Sequence, residues 1–315
     1  MSKRTIAKFY RFVIFLAATS AISAACSFAS SKGGETYSAS PYGSPRVIAK
    51  IRSKDLTEAS GIAASRCQND VLWTHNDSGD DAFIFAVNTH GDMLGTWRVD
   101  NAKNVDWEDV ASFKDREGKC WVYIGEIGNN RLERPNHAIY RVREPIVAKT
   151  EKPSTRKDPS LTEAAEALAF TYPDYDQDAE ALMVQPSTGD IYVVTKRVSG
   201  PAGVYKLKPE FGPGKLQKAE MVAQISVPTI PNGLLTGGDI SPDGKHVIIC
   251  DYTQAYEYVL PESAGSFDDI WKQQPIPVDL GRRENGEAVC YSVDGTSIYA
   301  TSENRDPPLI EVKRK

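Results

Sequence analysis

Ser60-Gly61-Ile62-Ala63-Ala64-Ser65 is followed by Val71-Leu72-Trp73-Thr74-His75-Asn76-Asp77-Ser78-Gly79 and then by Ala82-Phe83-Ile84-Phe85-Ala86-Val87. Three short apolar runs separated by turn-forming residues read as an antiparallel meander. The phrase returns. Glu108-Asp109-Val110-Ala111 precedes Trp121-Val122-Tyr123-Ile124-Gly125-Glu126, and Glu180-Ala181-Leu182-Met183 precedes Ile191-Tyr192-Val193-Val194-Thr195-Lys196. Gly238-Asp239-Ile240-Ser241 precedes His246-Val247-Ile248-Ile249-Cys250-Asp251, and Glu287-Ala288-Val289-Cys290 precedes Ser297-Ile298-Tyr299-Ala300-Thr301-Ser302-Glu303. Glycine-containing turns such as Ser187-Thr188-Gly189-Asp190 and Ser241-Pro242-Asp243-Gly244 join most of the pairs.

The apolar anchors Ile62, Val110, Leu182, Ile240 and Val289 stand 48, 72, 58 and 49 residues apart. Several strands per repeat at this period predict an all-β chain folded as a single β-propeller of five four-stranded blades. A sixth would have to hide between Ile225 and Gly238. Fourth strands are expected at 93–99, 167–172, 221–227 and 275–280. The last repeat ends after its third strand, Pro308 to Val312, whereas Arg46 to Ile51 is a strand without a hairpin partner. Strand 46–51 is therefore expected to complete the final blade and remove its open edge. The long second step is assigned to an outer insertion, Val147 to about Ala165, in which Ser160-Leu161-Thr162-Glu163 is expected to cap a short helical turn.

Ahead of the repeats, Lys3, Arg4, Lys8 and Arg11 flank the apolar run Phe12 to Ala18, and small residues follow. Residues 1–25 are read as a secretory signal peptide, 26–45 as a flexible tether and 46–315 as the propeller domain. Ser23-Ala24-Ala25-Cys26 resembles a lipobox without its first-position Leu. If it is processed as one, Cys26 carries lipid and anchors an outer membrane lipoprotein; ordinary cleavage near Ala25 or Ala29 leaves a periplasmic or extracellular protein. Removing the leader's four positive charges takes the formal net charge from −5 to −9. That acidity, without a basic stripe, argues against a nucleic-acid partner. Export permits disulfides. Cys67 with Cys120 and Cys250 with Cys290 is the preferred of three pairings, against the alternative of reduced buried thiols.

A propeller brings the loops that enter its innermost strands and the loops that leave its second strands to one face. Entering residues include Glu108, Asp109, Glu180, Asp239 and Glu287; leaving residues include His75, Asn76, Asp77, Glu126, Lys196, Asp251 and Glu303. With Asn130 and Arg131 beside Glu126, they define a candidate ligand-binding rim. Oxygen donors with almost no His favour a divalent hard cation, calcium ahead of magnesium, held by Asp77, Glu108, Asp109, Glu180, Asp239 and Glu287. The competing explanation is a solvated acidic rim with Lys196, Arg282 and Arg283 as counter-ions. No nucleotide or organic cofactor is expected. Ser78 lies on no Gly-x-Ser-x-Gly elbow, so a catalytic serine is set aside.

Trp73-Thr74-His75-Asn76-Asp77-Ser78-Gly79, Asp106-Trp107-Glu108-Asp109, Gly125-Glu126-Ile127-Gly128-Asn129-Asn130-Arg131 and Ile139 to Pro145 together resemble a family of exported bacterial β-propeller proteins. The resemblance runs from about Leu56 to Pro145 and fades afterwards. Glu126 and Asn129 stand where that family's commoner motif has Asp. The resemblance implies fold and export and brings no reaction with it. More distantly, the acidic pore resembles that of propeller phytases, lactonases and related calcium-dependent hydrolases, without a motif match.

Two functions follow as expectations. One is a monomeric cell-envelope binding module that uses a cation to hold a small ligand or an envelope protein. The other is a metal-dependent hydrolase of phosphoesters or lactones, with Glu108, Glu180 or His75 as base.

Overall fold

The computed structural model describes residues 40–148 and 152–315. The leader, Cys26 and most of the tether lie outside them. Strand β1 (Arg46–Lys50) comes first. Blade 1 is β2 (Ala59–Ala64), β3 (Leu72–Asn76), β4 (Phe83–Val87) and β5 (Met93–Asp100). Blade 2 begins with β6 (Trp107–Lys114), β7 (Cys120–Glu126) and β8 (His137–Arg143). The chain then adds β9 (Ser160–Ala164) to the edge of blade 1 and completes blade 2 with β10 (Glu166–Thr171). Blade 3 is β11 (Ala179–Val184), β12 (Ile191–Thr195), β13 (Ala202–Leu207) and, beyond the short edge strand β14 (Leu216–Lys218), β15 (Glu220–Ile225). Blade 4 is β16 (Leu235–Ile240), β17 (His246–Asp251), β18 (Ala255–Val259) and β19 (Ile276–Val278); blade 5 is β20 (Ala288–Tyr291), β21 (Ser297–Thr301) and β22 (Pro308–Lys313).

Five sheets result, and the last has the order β1-β22-β21-β20, so the amino-terminal strand closes the ring as its sequence position implied. The pairing is antiparallel, with Arg46 opposite Glu311 and Lys50 opposite Pro308. The packed chain starts ahead of β1. Tyr42 is buried and its hydroxyl donates to the buried Glu257 of blade 4, which also accepts from Tyr291 and Arg314. Both ends of the domain thus meet at the joint of blades 4 and 5.

The core lies between blades, one apolar cluster per interface. Along β4, Ile84 and Ala86 pack toward blade 2 while Phe83, Phe85 and Val87 pack toward blade 5. Both faces are covered, which is why the strand reads as an unbroken apolar run instead of an alternating one. Each fully buried Phe, Ile or Val contributes about 1.5–3 kcal/mol.

Two expectations are corrected. Ser160 to Ala164 is not a helical turn but β9, parallel to β5, with Trp97 opposite Ser160. The free edge of blade 1 offers unpaired backbone groups, and Thr162 Oγ1 accepts the Asp100 N–H at 3.0 Å. Cys67 and Cys120 are disulfide-bonded across the joint of blades 1 and 2, but Cys250 and Cys290 are free and buried. Successive side chains of β20 face opposite ways. Val289 and Tyr291 turn to the cluster that holds Cys250, and Cys290 turns to the cluster shared with blade 1. The one helix among the described residues is a 3₁₀ segment, Phe267–Lys272, that seats Ile270 and Trp271 against blades 3 and 4.

Candidate metal centre

The innermost strands of blades 2 and 3 begin with the same irregularity. Trp107 pairs with Glu126 and Asp109 with Gly125, so Glu108 is an extra residue with no partner on β7. Ala179 pairs with Thr195 and Ala181 with Val194, which makes Glu180 its counterpart. A bulge of this kind turns the inserted side chain out of the pleat. Here it aims both carboxylates at the mouth of the channel. In blade 4 the corresponding extra residue is Thr236, whose hydroxyl donates to Gly286 O at 3.1 Å. Near the bulge of blade 1, Ser60 likewise donates to Glu108 O at 2.7 Å. Hydroxyl residues stitch neighbouring blades together, and glutamates face the axis.

Two residues before each bulge glutamate stands an aspartate, Asp106 and Asp178. Oxygens of Asp77, Asp106 and Glu108 lie within 4.8 Å of one another, and so do oxygens of Glu108, Asp178 and Glu180, with Glu108 common to both groups. Glu108 and Glu180 are buried, with oxygens within 4.8 Å of each other. Two buried carboxylates so placed repel unless a proton or a cation lies between them. Burial first, then Glu180, Asp77 and Asp106, raises the Glu108 pKa well above the usual carboxylate range. Burial also raises Glu180, against the pull of Lys196, whose Nζ lies 2.7 Å from Glu180 Oε1. Burial and then the Asp77 charge push Asp106 up to about 6. Asp178 is raised by burial although it accepts the Asn129 N–H at 2.7 Å. Burial would discharge Lys196, but the Glu180 carboxylate overrides this and holds it above the usual ammonium range.

The remaining predicted residues divide by role. Glu287 borders the cluster, with its pKa raised by burial and then by Glu180 and Glu303. Asp109 and Asp239 lie away from the mouth groups. Asp109 links blade 2 to blades 3 and 4, accepting the N–H of Val110 at 2.8 Å, of Leu182 at 2.9 Å and of Gly238 at 3.4 Å. A Cβ at Gly61 would sit 2.8 Å from its Oδ1, so that position must be glycine. The register of β16 places Asp239 two residues farther along its strand than Asp109 is along β6. There it binds Arg66 at 3.1 Å and accepts the Tyr291 N–H. Glu126 accepts the N–H groups of Val105 and Asp106 and pairs with Arg134. Asn76 braces Thr57, Glu58 and Asp80, while Asp251 accepts from Thr229, Tyr256 and the following turn. Glu303 is half-buried beside Asn285; Asn130 and Arg131 are exposed on their loop. His75 is fully buried, with Nδ1 2.9 Å from Asn76 O and its ring edge-on to Trp107, and burial holds its pKa down. Arg283, named as a counter-ion, is buried and spends its guanidinium on Thr301 O and Asp251 O, and Arg282 is exposed.

Asp106 and Asp178 were not among the predicted candidate ligands, although Asp106-Trp107-Glu108 and Asp178-Ala179-Glu180 carry a legible signal, Asp-x-Glu at the head of two successive blades. The segments of the family resemblance also interlock. Trp73 Nε1 donates to Glu144 at 2.7 Å, and a Cβ on Gly128 would lie 2.0 Å from Glu108 Oε1.

No family model and no curated protein matches the chain. Among solved structures, the chain is similar to a gluconolactonase from Xanthomonas campestris, at 13% identity and a TM-score of 0.44, over 84% of this chain and 88% of that one. It is also similar to the soluble aldose sugar dehydrogenase from Escherichia coli, at 9% identity and a TM-score of 0.45, over 86% of this chain and 99% of that one. The five-bladed architecture stands on this chain's own strand order and register.

Proposed function

We propose that the mouth of the ring binds a divalent hard cation, and that the protein is an exported binding module whose ligand is held at that mouth. One observation carries the reading: two Asp-x-Glu segments, each ending on a bulge, converge with Asp77 so that Glu108 belongs to two carboxylate groups at once. Like charges brought together in a buried place cost folding energy, and a cation offsets that cost. Asp77, Asp106, Glu108, Asp178 and Glu180 supply oxygen only, which suits calcium ahead of magnesium. Asp109 and Asp239 leave the proposed ligand set because their oxygens are engaged by backbone N–H groups and Arg66. Export to an oxidising compartment is supported by the Cys67–Cys120 disulfide.

Melting the purified protein with calcium, magnesium, manganese or a chelator tests this. A cation at a hundred times its dissociation constant adds about 2.7 kcal/mol if it binds only the folded state. Glu108→Gln and Glu180→Gln should each remove that response. Identical melting in chelator and in every cation would overturn the proposal.

The Lys196 ammonium beside the same carboxylates favours a second reading, hydrolysis of a phosphoester or lactone polarised by the cation. His75 is a poor base for it, being walled in against Trp107. Turnover of a chromogenic phosphoester or a simple lactone that depends on added cation and disappears in Glu180→Gln would establish that reading over simple binding.

A further inference from the structure

Five large apolar side chains stand more than half exposed on the loops around this mouth: Val105, Leu132, Tyr175, Val198 and Ile230, the last at 96%. They occupy the loops 101–106, 127–136, 172–178, 196–201 and 226–234, which enter or belong to three successive blades. Hydrogen bonds tie these loops together in that order. Gly128 N–H donates to Asp106 O, Asn129 N–H to Asp178, Arg197 Nη1 to the Tyr175 hydroxyl at 2.8 Å, and Arg197 N–H to Gly233 O at 2.7 Å. The loops therefore form a continuous crescent along one half of the rim, and each carries one of the exposed apolar groups. Among the described residues, no exposed large apolar side chain lies on the mouth loops of the other half.

The crescent is held out at a cost. Leu132 has φ 54°, a left-handed conformation that a residue with a Cβ rarely adopts. Asn129 enforces it, accepting the Leu132 N–H on its carbonyl and the N–H groups of Glu133 and Arg134 on its side chain. Large apolar side chains gathered on linked, exposed loops beside a polar mouth suit the docking of another molecule.

We infer that this crescent and the acidic mouth together dock a protein segment in which lysine or arginine stands next to apolar residues. The apolar residues cover the crescent and the basic side chain faces the carboxylates. Charge complementarity selects this occupant. A second copy of the chain would bring two acidic mouths together, and an anionic lipid surface would be repelled by them. The inference does not depend on the cation. With a divalent ion bound and the carboxylates ionised by it, the six acids Asp77, Asp106, Glu108, Asp178, Glu180 and Glu287 still outnumber the charges of the ion, Lys196 and Arg134.

The test uses random dodecapeptides displayed on phage, panned against the purified protein in calcium and, separately, in chelator. The expected result is a recovered consensus pairing Lys or Arg with apolar residues. Its synthetic peptide should bind Val198→Asp/Ile230→Asp at least about tenfold more weakly and Val293→Asp, at the other end of the ring, unchanged. The two rim substitutions add negative charge, so a purely electrostatic attraction would tighten where docking weakens. Loss of the cation response without loss of peptide binding would remove the metal reading and leave this one intact. Absence of a consensus, or equal or tighter binding to the double variant, overturns the inference. So does rim-dependent sedimentation with phosphatidylglycerol vesicles, or a concentration-dependent dimer that the double variant abolishes.

Discussion

Glu108 and Glu180 occupy equivalent strand positions on neighbouring blades; burial makes both harder to ionise, and Glu180 adds to the burden on Glu108. Their contribution to the cation-free fold is therefore negative. Glu108→Gln should unfold at a higher temperature than the unsubstituted protein in chelator, by on the order of 1–3 kcal/mol, while losing its response to calcium. Scanning calorimetry in both buffers checks the two signs together. His137 presents the opposite case. It is packed against Phe170 and Tyr172 with neither ring nitrogen hydrogen-bonded to a side chain, and burial, then Arg134, lowers its pKa to about 4. The unfolded chain takes that proton near pH 6.5. Stability from this residue is therefore complete above pH 6.5, declines as the pH falls, and stops declining near pH 4. The loss is at most about 3 kcal/mol. Urea unfolding at several pH values should show His137→Phe losing less than the unsubstituted protein over that interval, with the acidic groups common to both cancelling.

At the scale of elements, strand periodicity and turns were legible because both faces of every blade are buried and the turns need particular residues. The closure by β1 could be read from a strand without a hairpin and a blade short by one. The bulges could not, since an extra residue in one strand is visible only against its partner's register. That is why aligning Ile240 with Val110 put Asp239 beside Asp109, whereas the ladder moves it deeper. β9 was misread for a related reason: what orders it is the vacant edge of blade 1, far away in sequence. The cysteines of β17 and β20 stand in successive repeats, but the two-fold alternation of side chains turns them apart, and for this pair the alternative of reduced buried thiols holds. Gly128 shows how closely the loops clasp the bulges. Gly128→Ala should cost about 1–3 kcal/mol and also abolish the cation response, because the added methyl displaces Glu108. Denaturant titration with and without calcium separates the two effects.

For the whole molecule, the covalent link between blades 1 and 2 spans 53 residues of sequence. On the chain-entropy model such a loop stabilises by about 4 kcal/mol. The Cys67→Ser/Cys120→Ser variant should lose about that much in urea, whereas Cys290→Ala should leave the dependence on reductant unchanged. The remaining closure is non-covalent and lies where β1 meets β22. Because those strands are antiparallel, Arg46 faces Glu311 and the two termini leave from the same end, with Gly43 N–H on Lys313 O and Lys315 N–H on Pro41 O. A load applied between the termini peels these hydrogen bonds apart one after another, as a zipper opens, instead of shearing them all together. In an optical trap the first event should be a low-force release of about a strand's length, ahead of the larger ruptures of the blades. A chain tethered at its amino terminus and pulled from its carboxyl terminus would lose its ring before it lost its sheets.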